Sequence, residues 1–122
     1  MGKQLTKHFN EDEFRCRHCG ALPKGGMDPK LIHQLECLRC KVGKPLIINS
    51  GFRCTIHNKN VGGAKSSQHL KGTAADVMVP KGMTADQLAK VAEDVGFDGI
   101  GKYPRQGFIH VDVRGFGARW HG

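Results

Sequence analysis

Ser67-Gln68-His69-Leu70-Lys71-Gly72-Thr73-Ala74-Ala75-Asp76 is the stretch around which this chain is organised. A histidine and a carboxylate stand seven residues apart, with small residues between them. Imidazole nitrogen and carboxylate oxygen are ligand types that zinc accepts at about 2.0–2.2 Å. Gly72 lets the backbone turn sharply beneath such an ion. Val77-Met78-Val79-Pro80 follows as a strand-like run, which puts His69 on a loop and Asp76 on the strand leaving it. A lone His and Asp at this spacing also occur as a hydrogen-bonded pair or a turn, so the pair alone leaves both readings open. Phe108-Ile109-His110-Val111-Asp112-Val113-Arg114 alternates in type. Successive strand side chains point to opposite faces. His110, Asp112 and Arg114 therefore share one face, and Ile109, Val111 and Val113 the other. The polar face supplies a third ligand, His110, and a neighbour for it.

The flanking segments read as scaffold. In residues 9–14 Asn10 caps a short helix, Glu13 completes a capping box, and Phe9 with Phe14 forms a hydrophobic staple. That helix pins an N-terminal arm, residues 1–27, whose residues 15–27 form a cysteine-bearing loop. Asp28-Pro29 opens a helix with Leu31, Leu35, Leu38 and Val42 at helical spacing, ended by Gly43. Leu46-Ile47-Ile48 is a short apolar strand, expected to be central, that delivers residues 49–53 to its end. His57 to Gly63 reads as a short helix, with His57 structural rather than a ligand. Thr84 and Gln87 form another capping box; Leu88, Val91, Ala92 and Val95 supply the apolar stripe, and Gly96 stops the helix. Gly99 to Tyr103 is a strand that turns at residues 104–107 into the antiparallel His110 strand. The tail from Gly115 has no period, and its Trp120 either covers the core or lines a groove. The plan is one α+β domain over residues 1–122: a small antiparallel sheet with helices on one face and the metal site on the other.

A chain of 122 residues supports one modest core. Its 19 basic and 11 acidic side chains leave a net charge of +8, which favours polyanionic partners. The basic residues are scattered and do not alternate with aromatics, so a basic surface is preferred to a nucleic-acid site. No apolar run approaches the roughly 18 residues of a membrane span. The five cysteines are Cys16, Cys19, Cys37, Cys40 and Cys54. Cys16-x-x-Cys19 with Cys37-x-x-Cys40 fits a structural four-thiolate zinc site. Disulfides and buried free thiols are the other two readings, and all three stay open.

Ser67, His69, Gly72, Ala74 and Asp76 spell S-x-H-x-x-G-x-A-x-D, followed by His-Val-Asp at residues 110–112. Ser50-Gly51-Phe52-Arg53, His57-Asn58 and Gly99-Ile100-Gly101-Lys102-Tyr103-Pro104 accompany them. In these pieces and their order the chain resembles the zinc D-Ala-D-Ala carboxypeptidase and murein endopeptidase family, which shares its fold with the hedgehog signalling domain. The resemblance runs from about Phe9 to Trp120. It implies zinc held by His69, Asp76 and His110, with a fourth position left to water, the arrangement of a catalytic rather than a structural site. It implies that Arg53 grips a substrate carboxylate, for which a guanidinium fork is suited. Ser67 and Gln68, beside His69 in the motif, are expected to contact substrate.

The implied activity is hydrolysis of peptide bonds in peptidoglycan by a monomer. Many relatives carry an acidic residue three positions before the last histidine. Gly107 stands there, so Asp112 is the nearest general base, or else a residue that orients His110 or Arg114; His121 is a weaker substitute. The missing acid supports an alternative, a non-catalytic wall-binding module stabilised by zinc. Met1 to His8 lacks the apolar core of a secretory signal. The expectation is therefore a phage- or prophage-like enzyme made in the cytoplasm and released to the wall, or a leader removed.

Overall fold

Alternation along Phe108–Asp112, strand β4, sets the two faces of the sheet. The computed structural model describes residues 2–63 and 67–122. Ile48–Ser50 is β1, Ala74–Met78 is β2, Gly99–Tyr103 is β3 and Ala118–His121 is β5. They form one five-stranded sheet in the order β1-β2-β4-β3-β5. Ile109 and Val111 of β4, Ala75 and Val77 of β2 and Ile100 of β3 are buried on the apolar face.

Helices α1 (Pro29–Val42) and α3 (Ala85–Val95) cover that face, and their Leu31, Leu35, Leu38, Leu88 and Ala92 join its core. Burying each large aliphatic side chain is worth about 1.5–3 kcal/mol. Both helices begin where local chemistry allows. Asp28 accepts from the Lys30 N–H at 2.8 Å, and Thr84 and Gln87 complete a reciprocal capping box. Both end in a left-handed glycine, Gly43 and Gly96.

The arm carries a 3-10 turn, Glu11–Phe14, capped by Asn10 and Glu13. Phe9 and Phe14 are buried, with ring centroids 6.0 Å apart. The Phe52 N–H donates to Phe14 O at 2.9 Å. A Cβ on Gly51 would lie 2.7 Å from Phe14 Cα, so only glycine lets the arm approach the strand end this closely.

Three expectations need correction. The sheet is mixed, because β5 pairs parallel with β3; the tail's irregular composition hid this edge strand. The strand expected at Leu46–Ile48 occupies Ile48–Ser50 and pairs with β2 alone, so it is an edge, and Ile47 is exposed. The helix expected at His57–Gly63 is α2, Thr55–Asn60, because Cys54 serves as its N-cap. Among the described residues no helix is long and apolar enough to cross a membrane.

Candidate metal centre

On the face away from the helices one row of paired residues crosses four strands: Asp76, His110, Gly101 and Trp120. His69 arrives from a 3-10 turn, Gln68–Lys71, rather than an open loop. Ser67 Oγ accepts from the His69 N–H at 3.2 Å, and Gly72 closes the turn at φ 73°, a conformation cheap only for glycine.

Three candidate ligand atoms meet above the row. His69 Nε2 stands 3.1 Å from Asp76 Oδ1 and 3.2 Å from His110 Nδ1. His110 Nδ1 stands 3.3 Å from Asp76 Oδ1. The outer ring nitrogens decide the tautomers. His69 Nδ1 lies 2.8 Å from Gly51 O, which can only accept, so Nδ1 carries the proton and Nε2 a lone pair. His110 Nε2 lies 2.6 Å from the Asp112 carboxylate, which leaves the lone pair on Nδ1. Two lone pairs and a carboxylate oxygen thus converge, an arrangement that a cation satisfies. Tetrahedral zinc with bonds of about 2.0–2.1 Å separates its nitrogen and oxygen ligands by roughly 3.3–3.4 Å. The triangle of 3.1, 3.2 and 3.3 Å fits that ion.

The charges agree. Burial raises the Asp76 pKa, but hydrogen bonds with His110 and His69 outweigh it and hold the carboxyl well below its ordinary range. Burial disfavours a charged His110, yet Asp112 and Asp76 together raise its pKa, so a proton would compete with any cation at Nδ1. Asp112 is fully buried; burial raises its pKa, and His110 and Arg114 more than reverse this, keeping it anionic.

A cavity of about 460 Å³ opens over the three ligands. Arg53, Gln68, Tyr103, Phe108, Arg114 and Trp120 are among its lining residues, as is Ser67. Thr73 Oγ1 donates to Gln68 Oε1 at 2.8 Å and fixes that side chain. Arg53 reaches Asp76 Oδ2 with Nη2 at 3.1 Å, Ser50 Oγ with Nε at 3.2 Å and Asn58 Oδ1 with Nη1 at 3.3 Å. It therefore braces a candidate metal ligand as well as facing the cavity. Of the two roles expected for Asp112, base or orienting residue, its contacts favour the second. It shares the sheet face with His110 but does not line the cavity, because Arg114 covers it with Nε at 3.0 Å and Nη2 at 2.7 Å. It stands behind His110, within hydrogen-bond reach of Nε2, as a residue that orients a ligand ring would.

Sequence reasoning missed Tyr103 and left Trp120 undecided. Trp120 Nε1 donates to Tyr103 Oη at 2.8 Å, and the indole lies 4.9 Å from the His110 ring. A Cβ on Gly101 would overlap that indole. The period-two spacing of Gly99, Gly101 and Tyr103 was the available signal: two absent side chains beside a tyrosine mark room on the site face.

The family model for peptidase M15 matches residues 7–112. The chain belongs to the peptidase M15 family. It is 36% identical over 94 residues to the peptidoglycan L,D-endopeptidase MepK of Escherichia coli strain K12, covering 71% of this chain and 51% of that protein. It is 31% identical over 95 residues to the probable peptidoglycan L,D-endopeptidase MepK of Haemophilus influenzae, covering 71% and 50%. The zinc D-Ala-D-Ala carboxypeptidase of Streptomyces albus G is 42% identical over 69 residues, covering 55% and 26%. The chain spans about half the length of the two MepK proteins.

In this M15 chain the four-cysteine set is not assembled. The sulfurs of Cys16 and Cys19 meet that of Cys54, all within 4.8 Å of one another. Cys37 and Cys40 stay on α1, with Sγ of Cys37 3.8 Å from His33 Nε2 and Sγ of Cys40 3.6 Å from Glu36. The spacing matched, but the arm's loop folds against the start of α2 instead of against that helix. His57 does not line the cavity; burial, then the charge of Arg53, lowers its pKa.

Proposed function

We propose that this chain is a zinc-dependent peptidase acting on peptide bonds of bacterial peptidoglycan. The carrying observation is the convergence of His69 Nε2, His110 Nδ1 and Asp76 Oδ1, with tautomers fixed from behind, beneath a cavity. Three protein ligands leave a fourth position for water or substrate, as catalytic zinc sites do. Zinc, when bound, polarises a scissile carbonyl and makes water a stronger acid. The names of the MepK and carboxypeptidase relatives support peptidoglycan as the substrate.

The chain's own groups would do the rest. Arg53 and Arg114 line the cavity with positive charge suited to a substrate carboxylate. Trp120 donates to the Tyr103 oxygen, so the tyrosine's own proton is left to be given to a substrate oxygen. Phe108 stacks on Tyr103 at 4.7 Å and walls the cavity with apolar surface. The protein acts on the wall.

Purified peptidoglycan digested with the zinc-loaded chain should yield shortened muropeptides by mass spectrometry, and a strong chelator should abolish them. Digestion that survives chelation would refute the reading. A second reading is a non-catalytic wall-binding module. It is favoured by one observation: among the described residues, no carboxylate besides Asp76 lines the cavity. Sedimentation with intact sacculi while muropeptide masses stay unchanged would decide for it.

A further inference from the structure

Cys16, Cys19 and Cys54 form a second cluster of ligating atoms, and none of them lines the cavity over His69 and His110. Cys16 and Cys19 sit on the loop that follows the arm's 3-10 turn, and Cys54 caps α2. Several backbone donors aim at the sulfurs. The Cys54 N–H lies 3.4 Å from Cys16 Sγ, the N–H groups of Cys19 and His18 also serve that sulfur, and the His57 N–H lies 3.4 Å from Cys54 Sγ. His18 Nδ1 stands 3.7 Å from Cys54 Sγ.

Zinc bound to thiolates at about 2.3 Å separates two sulfurs by roughly 3.8 Å and a sulfur from an imidazole nitrogen by roughly 3.5–3.6 Å. The His18–Cys54 edge lies near that spacing at 3.7 Å, and the three sulfurs lie within 4.8 Å of one another. A disulfide suits it less well. It would join two sulfurs, strand the third, and turn the N–H donors toward neutral sulfur, where a thiolate accepts more strongly.

We propose that Cys16, Cys19 and Cys54, with His18 as fourth ligand, form a second and structural zinc site. His18 is exposed, so its ring can swing to complete the tetrahedron. Four protein ligands close such a site and leave no place for substrate. Its effect reaches the first centre through the backbone. Cys54 follows Arg53, which binds Asp76, and lies three residues after Gly51, whose carbonyl accepts from His69. The closed site therefore ties the arm to the segment that orients two ligands of the open one.

The test is independent of the peptidase reading, because it measures metal and sulfur rather than turnover. The full chain is purified under reducing conditions without chelator, and zinc is counted by elemental analysis and native mass spectrometry. Two zinc ions per chain are expected, falling to one in Cys19→Ser and to one in His69→Ala. Cys37→Ser should keep two. Cobalt exchanged into the protein should show a thiolate-to-cobalt charge-transfer band that persists in His69→Ala and is lost in Cys19→Ser. If Cys19→Ser does not fold, the wild-type cobalt spectrum decides. No thiolate band, a mass lower by two hydrogens from a disulfide, or three cysteines that alkylate at once without chelator would each overturn the site.

Discussion

The two clusters of ligating atoms differ in what holds them. Asp76 and His110 stand on paired strands and His69 on a glycine-closed turn, and each side chain is clamped again from behind by Gly51, Arg53 or Asp112. Cys16, Cys19 and Cys54 stand on a loop and a helix cap, held by backbone N–H groups and each other. The first set is preorganised by the sheet and opens on a cavity. The second sits on a loop and a helix cap and does not line that cavity. A site meant for chemistry must hold its geometry whether or not the fourth position is filled. A site meant for stability can draw its geometry from the ion.

His69→Ala tests the contrast hardest. It should lower peptidoglycan turnover on the order of 10³-fold or more, since the ion supplies several kcal/mol of transition-state stabilisation. Circular dichroism should show the fold retained, because the sheet does not depend on that ring. Global unfolding of the variant would make the two clusters alike and end the comparison.

Asp112→Asn sharpens it. The amide cannot match the carboxylate's hold on His110 Nε2 and also faces Arg114 without charge. Zinc affinity at the open site should fall about 10–100-fold. Competition with a chromophoric chelator measures this, and unchanged affinity would mean that Asp112 does not orient the ring.

The smallest effect concerns the arm's other tether. Glu36 on α1 accepts from the His8 N–H at 2.9 Å and contacts its ring. Burial raises the Glu36 pKa, but hydrogen bonds with Thr6 and then His8 reverse this and bring it to about 2, from an ordinary 4.5. A depressed carboxyl pKa stabilises the fold above the ordinary value, and that contribution is lost as pH falls from 4.5 toward about 2. Glu36→Gln should be less stable than the parent at neutral pH, with a flatter loss of stability across that acid range. Urea midpoints against pH measure it, and parallel curves for the two proteins would remove Glu36 from the account.

Much of the candidate site was legible before any coordinates. Period-two alternation put His110 and Asp112 on one face, and the Ser67–Asp76 motif named His69 and Asp76, which the fold brings beside His110. Capping residues marked where α1 and α3 start and stop. These features depend on neighbours a few residues away, and the chain carries them locally. The cysteines were different: Cys37-x-x-Cys40 had as good a spacing as Cys16-x-x-Cys19, yet Cys54, with no partner nearby in sequence, is the one that joins them.

Composition and periodicity by themselves determined an α+β chain with one apolar and one polar strand face; the motifs at residues 67–76 and 110–112 added a His–Asp–His set and a family resemblance that the M15 match bears out. Only the tertiary structure decided that β5 returns parallel to carry Trp120 over Gly101, that Arg53 is spent partly on Asp76, and that Asp112 lies behind His110 instead of in the cavity. The physical reason is range. Side-chain direction within a strand or helix follows from local backbone geometry, whereas the meeting of distant segments follows from how the whole core closes, which no short window of sequence contains.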